Sequence, residues 1–425
     1  MRFTTLDEWL SWQEGLNPAE IDLGLERVSR VLQQAGYADA FACPLITVAG
    51  TNGKGSVVAC IEAIALAQGC RTGTYTSPHL LKYNERIRIN GVDVDDLSLC
   101  QAFERIDRAR EGIDLTYFEF GTLAAIDLFR EADLDLVIME VGLGGRLDAV
   151  NIMQPDVAVI TTIAIDHTEW LGSDREAIGF EKAGILRSER AAVCGDADPP
   201  RSLLERAEKL GADLKLIGRH FRADRRGERW DFVFEGDGFE GLPLPALNGE
   251  FQLSNAATAI MALKSIKGFQ LSGEALRLGL EKVRLPGRFQ KIMERPEVIV
   301  DVAHNPQAAA ALKAQLSTHA CGGDTHAVVA MLADKPVAEA TGILSDQVDR
   351  WYTAGLASVA RGLEAGDMAA AVERTASDVK LSAASTVATA CEQALAAAEK
   401  NDRIIIFGSF YTVAEAMRYF ASRAR

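Results

Sequence analysis

The chain has 425 residues, of which 48% are hydrophobic and 25% charged, and its formal net charge at pH 7 is −15. This length exceeds one ordinary hydrophobic core, so we expect two or three domains. The acidic balance argues against nucleic acid as the main partner, although glycine amides and a lysine can still bind a small anion. The seven cysteines are scattered and never spaced CxxC, which suggests neither a zinc site nor a disulfide framework and is typical of a reducing cytosol.

The N-terminal segment MRFTTLDEWLSWQEGL carries charges where a signal peptide needs an apolar run. The sequence also lacks an uncharged apolar stretch of about 18 residues, the length needed to cross a bilayer. We therefore predict a cytoplasmic protein that does not insert into membranes.

Short apolar runs alternate with longer amphipathic segments, which predicts an α/β fold with a mainly parallel sheet. In the N-terminal part, strands are predicted for residues 44–49 (PLITVA), 134–141 (LDLVIMEV) and 156–163 (DVAVITTI), with a helix over 57–68. Each strand is followed by a loop that carries glycine or charged residues. Because ligands bind at the carboxyl ends of strands in open parallel sheets, these three loops are expected to surround one site.

The pattern changes in the middle of the chain. Residues 214–245 are rich in glycine, arginine and aromatic residues, and they predict antiparallel hairpins attached to the main sheet. Residues 253–265 then predict a helix that is capped at Ser254 or Asn255.

The alternation of strands and helices begins again near residue 285. Strands are predicted for 297–302, 327–332 and 403–407, and helices for 307–316 and 386–399. We therefore predict a larger N-terminal domain of residues 1–287 and a smaller C-terminal α/β domain of residues 288–425.

A glycine-rich loop follows the first predicted strand and leads into the first predicted helix. It consists of Gly50, Thr51, Asn52, Gly53, Lys54, Gly55 and Ser56. The glycines let backbone N–H groups turn towards phosphate oxygens, Lys54 can supply a cation to the β- and γ-phosphates, and Ser56 a hydroxyl near a metal ion. The loop departs from the pattern GxxxxGK[ST], because a glycine separates lysine from serine and Val48 replaces the first glycine. A plain turn is the alternative, but the order of strand, glycines, lysine, hydroxyl and helix favours nucleotide binding.

Polar residues near other predicted strand ends give weaker signals when each is taken alone. Glu140 ends an apolar strand, where a carboxylate can hold Mg²⁺, but a solvated strand end has the same pattern. His167 follows the next strand, and a lone histidine is more often a structural hydrogen-bonding residue than a ligand of a hard cation. Ser77 lies in the loop TSPH (76–79). Spacing alone does not distinguish Lys182 from an ordinary surface lysine.

Ten segments, taken together and in order, resemble the folylpolyglutamate synthase and dihydrofolate synthase family of the Mur ligase superfamily. They are IDLGLERV (21–28), GTNGKGS (50–56), TSPHL (76–80), YFEFGTLAA (117–125), EVGLGGRLDAVN (140–151), DHTEWLG (166–172), EKAGI (181–185), LPGRFQ (285–290), DVAHNPQAA (301–309) and FGSFYTVAEA (407–416). The ordered set covers essentially the whole chain and is far more specific than any single motif. The resemblance implies a P-loop ATPase-like N-terminal domain with a mainly parallel sheet, followed by a smaller Rossmann-like C-terminal domain.

The resemblance implies metal-binding and catalytic roles in the N-terminal domain. Ser77, Glu140 and His167 match Mg²⁺ ligands, and Lys54, His167 and Lys182 are implied to be catalytic. Lys182 matches a lysine that is carbamylated in this superfamily. That change turns an ammonium into a carboxylate-like group able to help hold a second Mg²⁺. A requirement for a monovalent cation is also compatible with the resemblance.

The resemblance extends to residues that bind the nucleotide and the acceptor. Asp301 and His304 match residues near the ribose of ATP. Asn255 matches a residue that contacts adenine, and Arg288 one that contacts phosphate.

The function implied by the resemblance is ATP-dependent ligation of L-glutamate to dihydropteroate, giving dihydrofolate, and to reduced folates, giving folylpolyglutamates. Phe118 and Asp148 resemble residues that line the pterin pocket of bacterial members. A carboxylate is a poor acylating agent, so the γ-phosphoryl group of ATP would first convert it to an acyl phosphate, which the amine of glutamate then attacks. The implied partners are small molecules, with no nucleic acid and no membrane, and a monomer fits the family.

Three alternatives stay open on the sequence alone. A folylpolyglutamate synthase without the first activity would share most motifs, although the YFE and RLDAVN segments look like those of bifunctional bacterial forms. A Mur-type amino-acid ligase would need a further N-terminal domain, for which the residues before Gly50 are too few. A regulatory P-loop module would explain GTNGKGS but not the later motifs.

Overall fold

The structure of the chain, a computed structural model, describes residues 1–17, 21–357, 359, 361–375 and 380–423. The chain forms two compact units. One unit comprises Met1–Ala246 and Gln252–Arg284, and the other comprises Leu247–Phe251 and Leu285–Arg425. The second unit is therefore discontinuous in sequence, because it includes a short segment that lies well before its main part. The predicted division after residue 287 stays a prediction.

A mainly parallel sheet forms the centre of the first unit. Its strands are, in chain order, β1 (Leu45–Ala49), β2 (Thr72–Tyr75), β3 (Ile87–Ile89), β4 (Val92–Asp93), β5 (Leu136–Glu140), β6 (Val157–Ile160), β7 (Ala191–Cys194) and β8 (Asp213–Leu216). Their order across the sheet is β4-β3-β2-β5-β1-β6-β7-β8. All neighbouring pairs are parallel except β2–β3 and β3–β4 at one edge. The strands predicted at 44–49, 134–141 and 156–163 are thus confirmed, and β5, β1 and β6 are neighbours.

Helices cover both faces of this sheet. They are α1 (Leu6–Glu14), α2 (Glu26–Gln34), α3 (Lys54–Ala67), α4 (Asp96–Ala109), α5 (Tyr117–Glu131), α6 (Thr168–Leu171), α7 (Arg175–Lys182), α8 (Arg201–Leu210), α9 (Phe251–Lys264) and α10 (Gly273–Lys282). Helix α3 packs against β1, β2, β5 and α10, whereas α1 and α2 pack against α4 and α5. Strands β1, β5 and β6 are buried along their whole length, which explains their continuous apolar sequences. Among the described residues, every helix is too short or too polar to span a bilayer.

Two predictions for the middle of the chain were wrong in detail. The antiparallel strands β9 (Phe221–Arg226), β10 (Arg229–Phe234) and β11 (Asp237–Pro243) form a separate three-stranded sheet and do not extend the large one. Helix α9 begins before Ser254 and Asn255, so neither residue caps it. The side chain of Asn255 instead donates to Gln252 Oε1 at 2.9 Å within the first turn.

The second unit contains a smaller sheet with one antiparallel edge. Its strands are β12 (Gln290–Glu294), β13 (Glu297–Asp301), β14 (Thr325–Val329), β15 (Arg350–Ala354), β16 (Lys380–Ala384) and β17 (Arg403–Phe407). The order is β12-β13-β17-β14-β15-β16; the β12–β13 pair is antiparallel and the other neighbouring pairs are parallel. Because β17 inserts between β13 and β14, the sheet has the doubly wound character of the predicted Rossmann-like domain.

The helices of the second unit alternate with its strands. They are α11 (Pro306–Thr318), α12 (Val337–Leu344), α13 (Ala365–Glu373), α14 (Val387–Ala397) and α15 (Phe410–Arg423). Helix α12 packs against α11 and α13, and α14 packs against α15. The α/β class predicted for both parts of the chain is confirmed.

Candidate active site

The phosphate loop, residues 50–56, connects the buried strand β1 to helix α3. Gly50 and Gly53 have φ values of 151° and 88°, which residues with a β-carbon rarely adopt. A β-carbon on Gly50 would overlap Thr161 Oγ1, and one on Gly53 would lie 2.7 Å from Asn255 Oδ1. Asn255, which is predicted to contact adenine, therefore lies against the phosphate loop. Both positions require glycine, because other parts of the chain approach too closely to leave room for a β-carbon.

Lys54 folds back onto this loop. Its Nζ donates to Gly50 O at 3.1 Å and to Thr51 O at 3.4 Å. Lys54 is also the first residue of α3, where the N–H groups of the first turn and the positive end of the helix dipole attract anions. The lysine and these amides supply the charge and the donors that a nucleotide phosphate needs.

Two threonines at the end of the neighbouring strand β6 hold the loop in place. Thr51 N donates to Thr162 O at 2.7 Å, and the hydroxyls of Thr161 and Thr162 donate to Asn52 O at 2.6 and 3.1 Å. Neither threonine was predicted from the sequence to belong to the site. The sequence does show two hydroxyl residues directly after an apolar run. Their role depends on the pairing of β1 with β6, which places them beside the phosphate loop.

Glu140 and Ser77 come together at the ends of the adjacent strands β5 and β2. Glu140 is only 4% exposed, and its Oε2 accepts a hydrogen bond from Ser77 N at 3.3 Å. The alternative of a solvated strand end is therefore wrong for Glu140.

The oxygens of these two residues fit Mg²⁺, which usually keeps one or two protein ligands and fills its octahedron with water and substrate phosphates. Among the described residues, no group of three or more His, Cys, Asp or Glu side chains could hold a metal ion. The fit is therefore to an open site completed by substrate, and not to a cage made by the protein alone. Ser77 and Glu140 as Mg²⁺ ligands stay predictions.

His167 follows β6 and has a left-handed φ of 52° immediately before the short helix α6. Its backbone N donates to Asp166 Oδ1 at 2.8 Å, and its side chain is partly exposed. Since β5, β1 and β6 are consecutive parallel strands, His167 follows the same edge of the sheet as Glu140. Its metal-binding and catalytic roles stay predictions.

Lys182 ends helix α7 and is 3% exposed, so it is not a surface lysine. Burial is the main reason that the pKa of Lys182 is lowered to about 7; the positive charge of Lys54 acts in the same direction, and Asp166 and Asp148 oppose it. The site thus brings two lysines and two aspartates from four separate segments within electrostatic range of one another. Asp166 was not among the predicted site residues, and its position after a buried strand was the only signal for it.

Phe118, predicted to line the acceptor pocket, belongs to helix α5, and its ring packs against the loop that follows β5 (residues 141–148, the β5 loop). A β-carbon on Gly142 would lie 2.6 Å from Cζ of the Phe118 ring, so the ring covers the loop backbone directly. The centroids of the Phe118 and Tyr75 rings are 5.9 Å apart. Phe118 is only half-buried, which leaves part of an aromatic surface for a planar ligand. Its contact with a pterin stays a prediction.

The buried side chain of Asp148 accepts hydrogen bonds from the backbone within and just after the same loop. Its Oδ2 accepts from Leu143 N at 2.8 Å and its Oδ1 from Val150 N at 3.0 Å. Burial raises the pKa of Asp148 to about 6, against the opposing effects of backbone hydrogen bonds and of Lys54. The structure thus uses both carboxylate oxygens to hold the backbone, and the predicted contact with a pterin stays a prediction.

In the second unit, Asp301 lies at the carboxyl end of β13. Its two oxygens accept from Phe289 N and Ala303 N, both at 2.8 Å. Burial raises the pKa of Asp301, and the positive charge of Arg288 opposes this effect. Asp301 and Arg288 are therefore close in space, as residues with a shared ligand must be.

Arg288 and His304 flank this aspartate. The guanidinium of Arg288 lies over the Phe410 ring, 5.5 Å from its centroid. His304 Nδ1 donates to Val302 O at 2.8 Å. The structure brings Arg288, Asp301 and His304 together at one strand end, and their contacts with ATP stay predictions.

Comparisons with known proteins agree with this geometry. The family described as "Mur ligase middle domain" matches residues 48–263, and the family described as "Mur ligase, glutamate ligase domain" matches residues 287–410. Together the two matches account for most of the chain.

Several relatives are similar over nearly their full length. The dihydrofolate synthase/folylpolyglutamate synthase of Escherichia coli is 43% identical over 418 residues, covering 98% of this chain and 96% of the relative. The solved structure of E. coli FolC in complex with DHPP and ADP has a TM-score of 0.93, with 42% identity and 99% of each chain covered. The bifunctional folylpolyglutamate synthase/dihydrofolate synthase of Yersinia pestis, complexed with AMPPNP and Mn ion, has a TM-score of 0.89 at 44% identity and 98% coverage of each chain. The chain belongs to the bifunctional dihydrofolate synthase/folylpolyglutamate synthase family of Mur ligases.

Proposed function

We propose that this chain is an ATP-dependent ligase that joins L-glutamate to dihydropteroate, giving dihydrofolate, and to reduced folates, giving folylpolyglutamates. The observation that carries the proposal is one edge of the first unit's sheet, where the phosphate loop follows β1 and the buried carboxylate of Glu140 ends the adjacent strand β5. Related structures contain DHPP with ADP, and Mn with AMPPNP and L-glutamate, which supports the same classes of ligand here.

The reaction requires activation of the acceptor's carboxylate. One carboxylate oxygen attacks the γ-phosphorus of ATP, an O–P bond forms as the bond to the β,γ-bridging oxygen breaks, and ADP leaves. The amine of glutamate then attacks the carbonyl carbon of the acyl phosphate, loses a proton and displaces inorganic phosphate. The products are an amide, ADP and phosphate.

The chain's own contribution to the first step is to bind and orient the triphosphate. The amides of the loop and of the first turn of α3 would donate to the phosphates, and Lys54 would offset the charge that develops on the transferred group. Thr161 and Thr162 keep the loop in the shape that presents these donors.

Ser77, Glu140 and His167 would hold Mg²⁺, which would supply positive charge to offset that of the triphosphate. Burial of Glu140 and its bond to Ser77 N keep the carboxylate in one orientation. Removing metal from the protein with a chelator should abolish ADP release, and added Mg²⁺ should restore it. Turnover that persists in excess chelator would contradict a magnesium site.

We also propose that Lys182 is carbamylated and helps to hold a second Mg²⁺. The neutral amine forms an N–C bond to CO₂ and releases one proton, which gives an anionic carbamate. The proposal is supported by the EKAGI segment and by the burial of Lys182 beside Lys54, where an anion is better paired than a second ammonium. Mass spectrometry under native conditions should find the mass of one CO₂ on wild type and not on Lys182→Arg, and its absence from wild type would contradict the modification.

The deciding experiment measures ADP release by the purified protein with ATP, Mg²⁺ and L-glutamate, supplied separately with dihydropteroate and with tetrahydrofolate. Products are identified by mass. We expect turnover with both acceptors. Turnover with tetrahydrofolate alone would limit the function to chain extension, and no turnover with either acceptor by a folded protein would overturn the proposal.

We also propose that the protein is a cytoplasmic monomer and that it acts only on small molecules. The scattered free cysteines support a reducing compartment. Sedimentation equilibrium should give the mass of one chain, and a stable species of twice that mass would contradict the monomer. Replacing potassium by a bulky organic cation in the same assay tests for a monovalent cation requirement.

A further inference from the structure

Arg187 and Asn151 join two segments of the first unit that flank the proposed site. Arg187 lies shortly after Lys182 in the chain, and Asn151 shortly after Asp148. Neither has a chemical role in the proposed reaction. Their contacts lie between the loop that follows β5 and the 3₁₀ turn Ala183–Ile185.

The guanidinium of Arg187 donates in two directions. Towards the segment after the β5 loop, Nη2 donates to Asn151 Oδ1 at 2.8 Å and to Met153 O at 3.1 Å, and Nε donates to Gln154 Oε1 at 2.7 Å. Towards the turn, Nη1 donates to Ile185 O at 3.1 Å. One planar, rigid group therefore connects both segments.

The side chain of Asn151 completes the junction. Its Oδ1 accepts from Arg187, while its Nδ2 donates to Gly184 O at 3.2 Å and to Arg146 O at 3.0 Å. Asn151 is buried, so these bonds are shielded from water and an unpaired amide there would be costly.

The backbone of the β5 loop also touches the backbone of residues 181–184. Arg146 N donates to Glu181 O at 2.8 Å. A β-carbon on Gly145 would lie 2.9 Å from Glu181 O and 3.1 Å from Lys182 O, and one on Gly184 would overlap Arg146. The backbone position of Lys182 is therefore set by how closely these segments are held together.

We propose that Arg187 and Asn151 are positioning residues that fix the turn after Lys182 against the β5 loop and thereby place the Lys182 amine relative to Lys54. The inference rests on the proposed function, in which Lys182 belongs to the active site. This positioning role requires a guanidinium at position 187, whose N–H donors point in several directions within one plane. The ammonium of a lysine presents its donors from a single nitrogen and cannot reach both segments.

Two substitutions test this role, Arg187→Lys and Asn151→Asp. Arg187→Lys keeps the charge but loses the fork, and Asn151→Asp keeps the Oδ1 acceptor but loses the donor to Gly184 and Arg146. Each should lower kcat about 10- to 100-fold, the usual cost of losing a partner that orients an active-site group. KM for ATP should stay near wild type, because the phosphate loop is untouched. Arg190→Lys is the matched control, since Arg190 pairs with Asp156 at the surface and its change should leave kcat unaltered.

A second readout follows Lys182 directly. Lysines are acetylated briefly in the folded protein in buffer depleted of CO₂, so that Lys182 carries a free amine, and the labelling of Lys182 is compared by mass spectrometry with that of Lys264, which pairs with Asp237. In both variants the labelling of Lys182 should rise several-fold relative to Lys264.

Unchanged kcat with Lys182 still protected would overturn the inference. A uniform rise in labelling at all lysines, together with a lowered Tm, would also overturn it, because it would show only general loosening. If wild type itself does not turn over, the proposed function fails, and the selective change in Lys182 labelling still decides whether these residues position it.

Discussion

Two glycine-rich loops follow the adjacent strands β1 and β5 of the first unit, and they use glycine differently. In the phosphate loop, Gly50 and Gly53 adopt positive φ and let the backbone turn beside Thr161. In the loop after β5, Gly142 makes room for an aromatic ring, and Gly145 makes room for the chain at Glu181. The first loop is shaped by its positive φ angles and by hydrogen bonds to the threonines that follow β6, and the second by close packing against α5 and against the chain at Glu181.

This difference explains why the phosphate loop can be recognised from the sequence and the loop after β5 cannot. A phosphate cradle is built from consecutive residues, so its glycines, lysine and hydroxyl appear as one motif. A packed junction is built from pairs of distant residues, so its glycines look like those of any turn. Substitutions in each loop test whether the two loops depend on these different features.

The largest effect is expected at the cation of the first loop. Lys54→Ala should lower kcat for ADP release about 10³-fold, because a preorganised charge facing the transferred phosphoryl group is lost. The free energy of unfolding should stay close to wild type. Lys264→Ala, which removes a surface ion pair with Asp237, is the control with normal turnover. Wild-type rates in Lys54→Ala would mean that residues 50–56 do not bind the nucleotide.

The next effect concerns the shape of the same loop. Gly50→Ala combines backbone strain of about 1–3 kcal/mol with overlap at Thr161 of about 1–3 kcal/mol, so the free energy of unfolding in urea should fall by about 4 kcal/mol. Gly69→Ala isolates the strain, since Gly69 has a φ of 90° and, in the described part of the chain, nothing lies within 4 Å of a β-carbon added there. Equal losses in the two variants would show that the loop moves away from Thr161 at little cost.

The pH dependence of stability tests the buried position of Asp148 in the second loop, the one that follows β5. Because burial raises its folded-state pKa from 3.8 to about 6, its contribution to stability is fully present below about pH 4 and is lost as the pH rises through about 6, a change of up to about 3 kcal/mol. The advantage of wild type over Asp148→Asn in free energy of unfolding should therefore shrink between about pH 4 and pH 7. A constant difference across that range would contradict the raised pKa.

The smallest effect is expected where the second loop meets the Lys182 segment. Gly145→Ala pushes on Glu181 O and Lys182 O, and a small shift there should cost about 1–2 kcal/mol of stability and lower kcat about tenfold. Gly366→Ala is the control, since no described residue lies within 4 Å of a β-carbon at Gly366 and a helical alanine there should be neutral or slightly stabilising. Normal kcat in Gly145→Ala would separate the junction from catalysis.

Much of the fold was predictable because its strands are locally marked. Residues 44–49 and 403–407 are apolar runs bounded by glycine or charged residues, and both are buried strands in the structure. The start of α9 was missed because Asn255, a typical capping residue, bonds to Gln252 inside the helix. The separate sheet of β9–β11 was missed because a hairpin sequence does not state which sheet it joins.

The site was predictable only in part. Residues 50–56 form a contiguous motif, whereas the burial of Lys182 depends on elements brought together from distant parts of the chain. Lys182 has the same local pattern as an exposed helix lysine, so only the resemblance to a known family singled it out. Arg187 and Asn151 had no local signal, because their hydrogen bonds join segments whose approach is decided by the tertiary fold.

The discontinuity of the second unit has a practical consequence. Within that unit, Asn248 of the segment Leu247–Phe251 donates to Phe289 O at 3.2 Å, and a β-carbon on Gly249 would lie 3.1 Å from the side chain of Gln315. A fragment that starts at Leu285 lacks both contacts. Chimaeras that exchange units between relatives therefore need three junctions, after Ala246, Phe251 and Arg284, because any single crossover would leave at least one unit with residues from both parents.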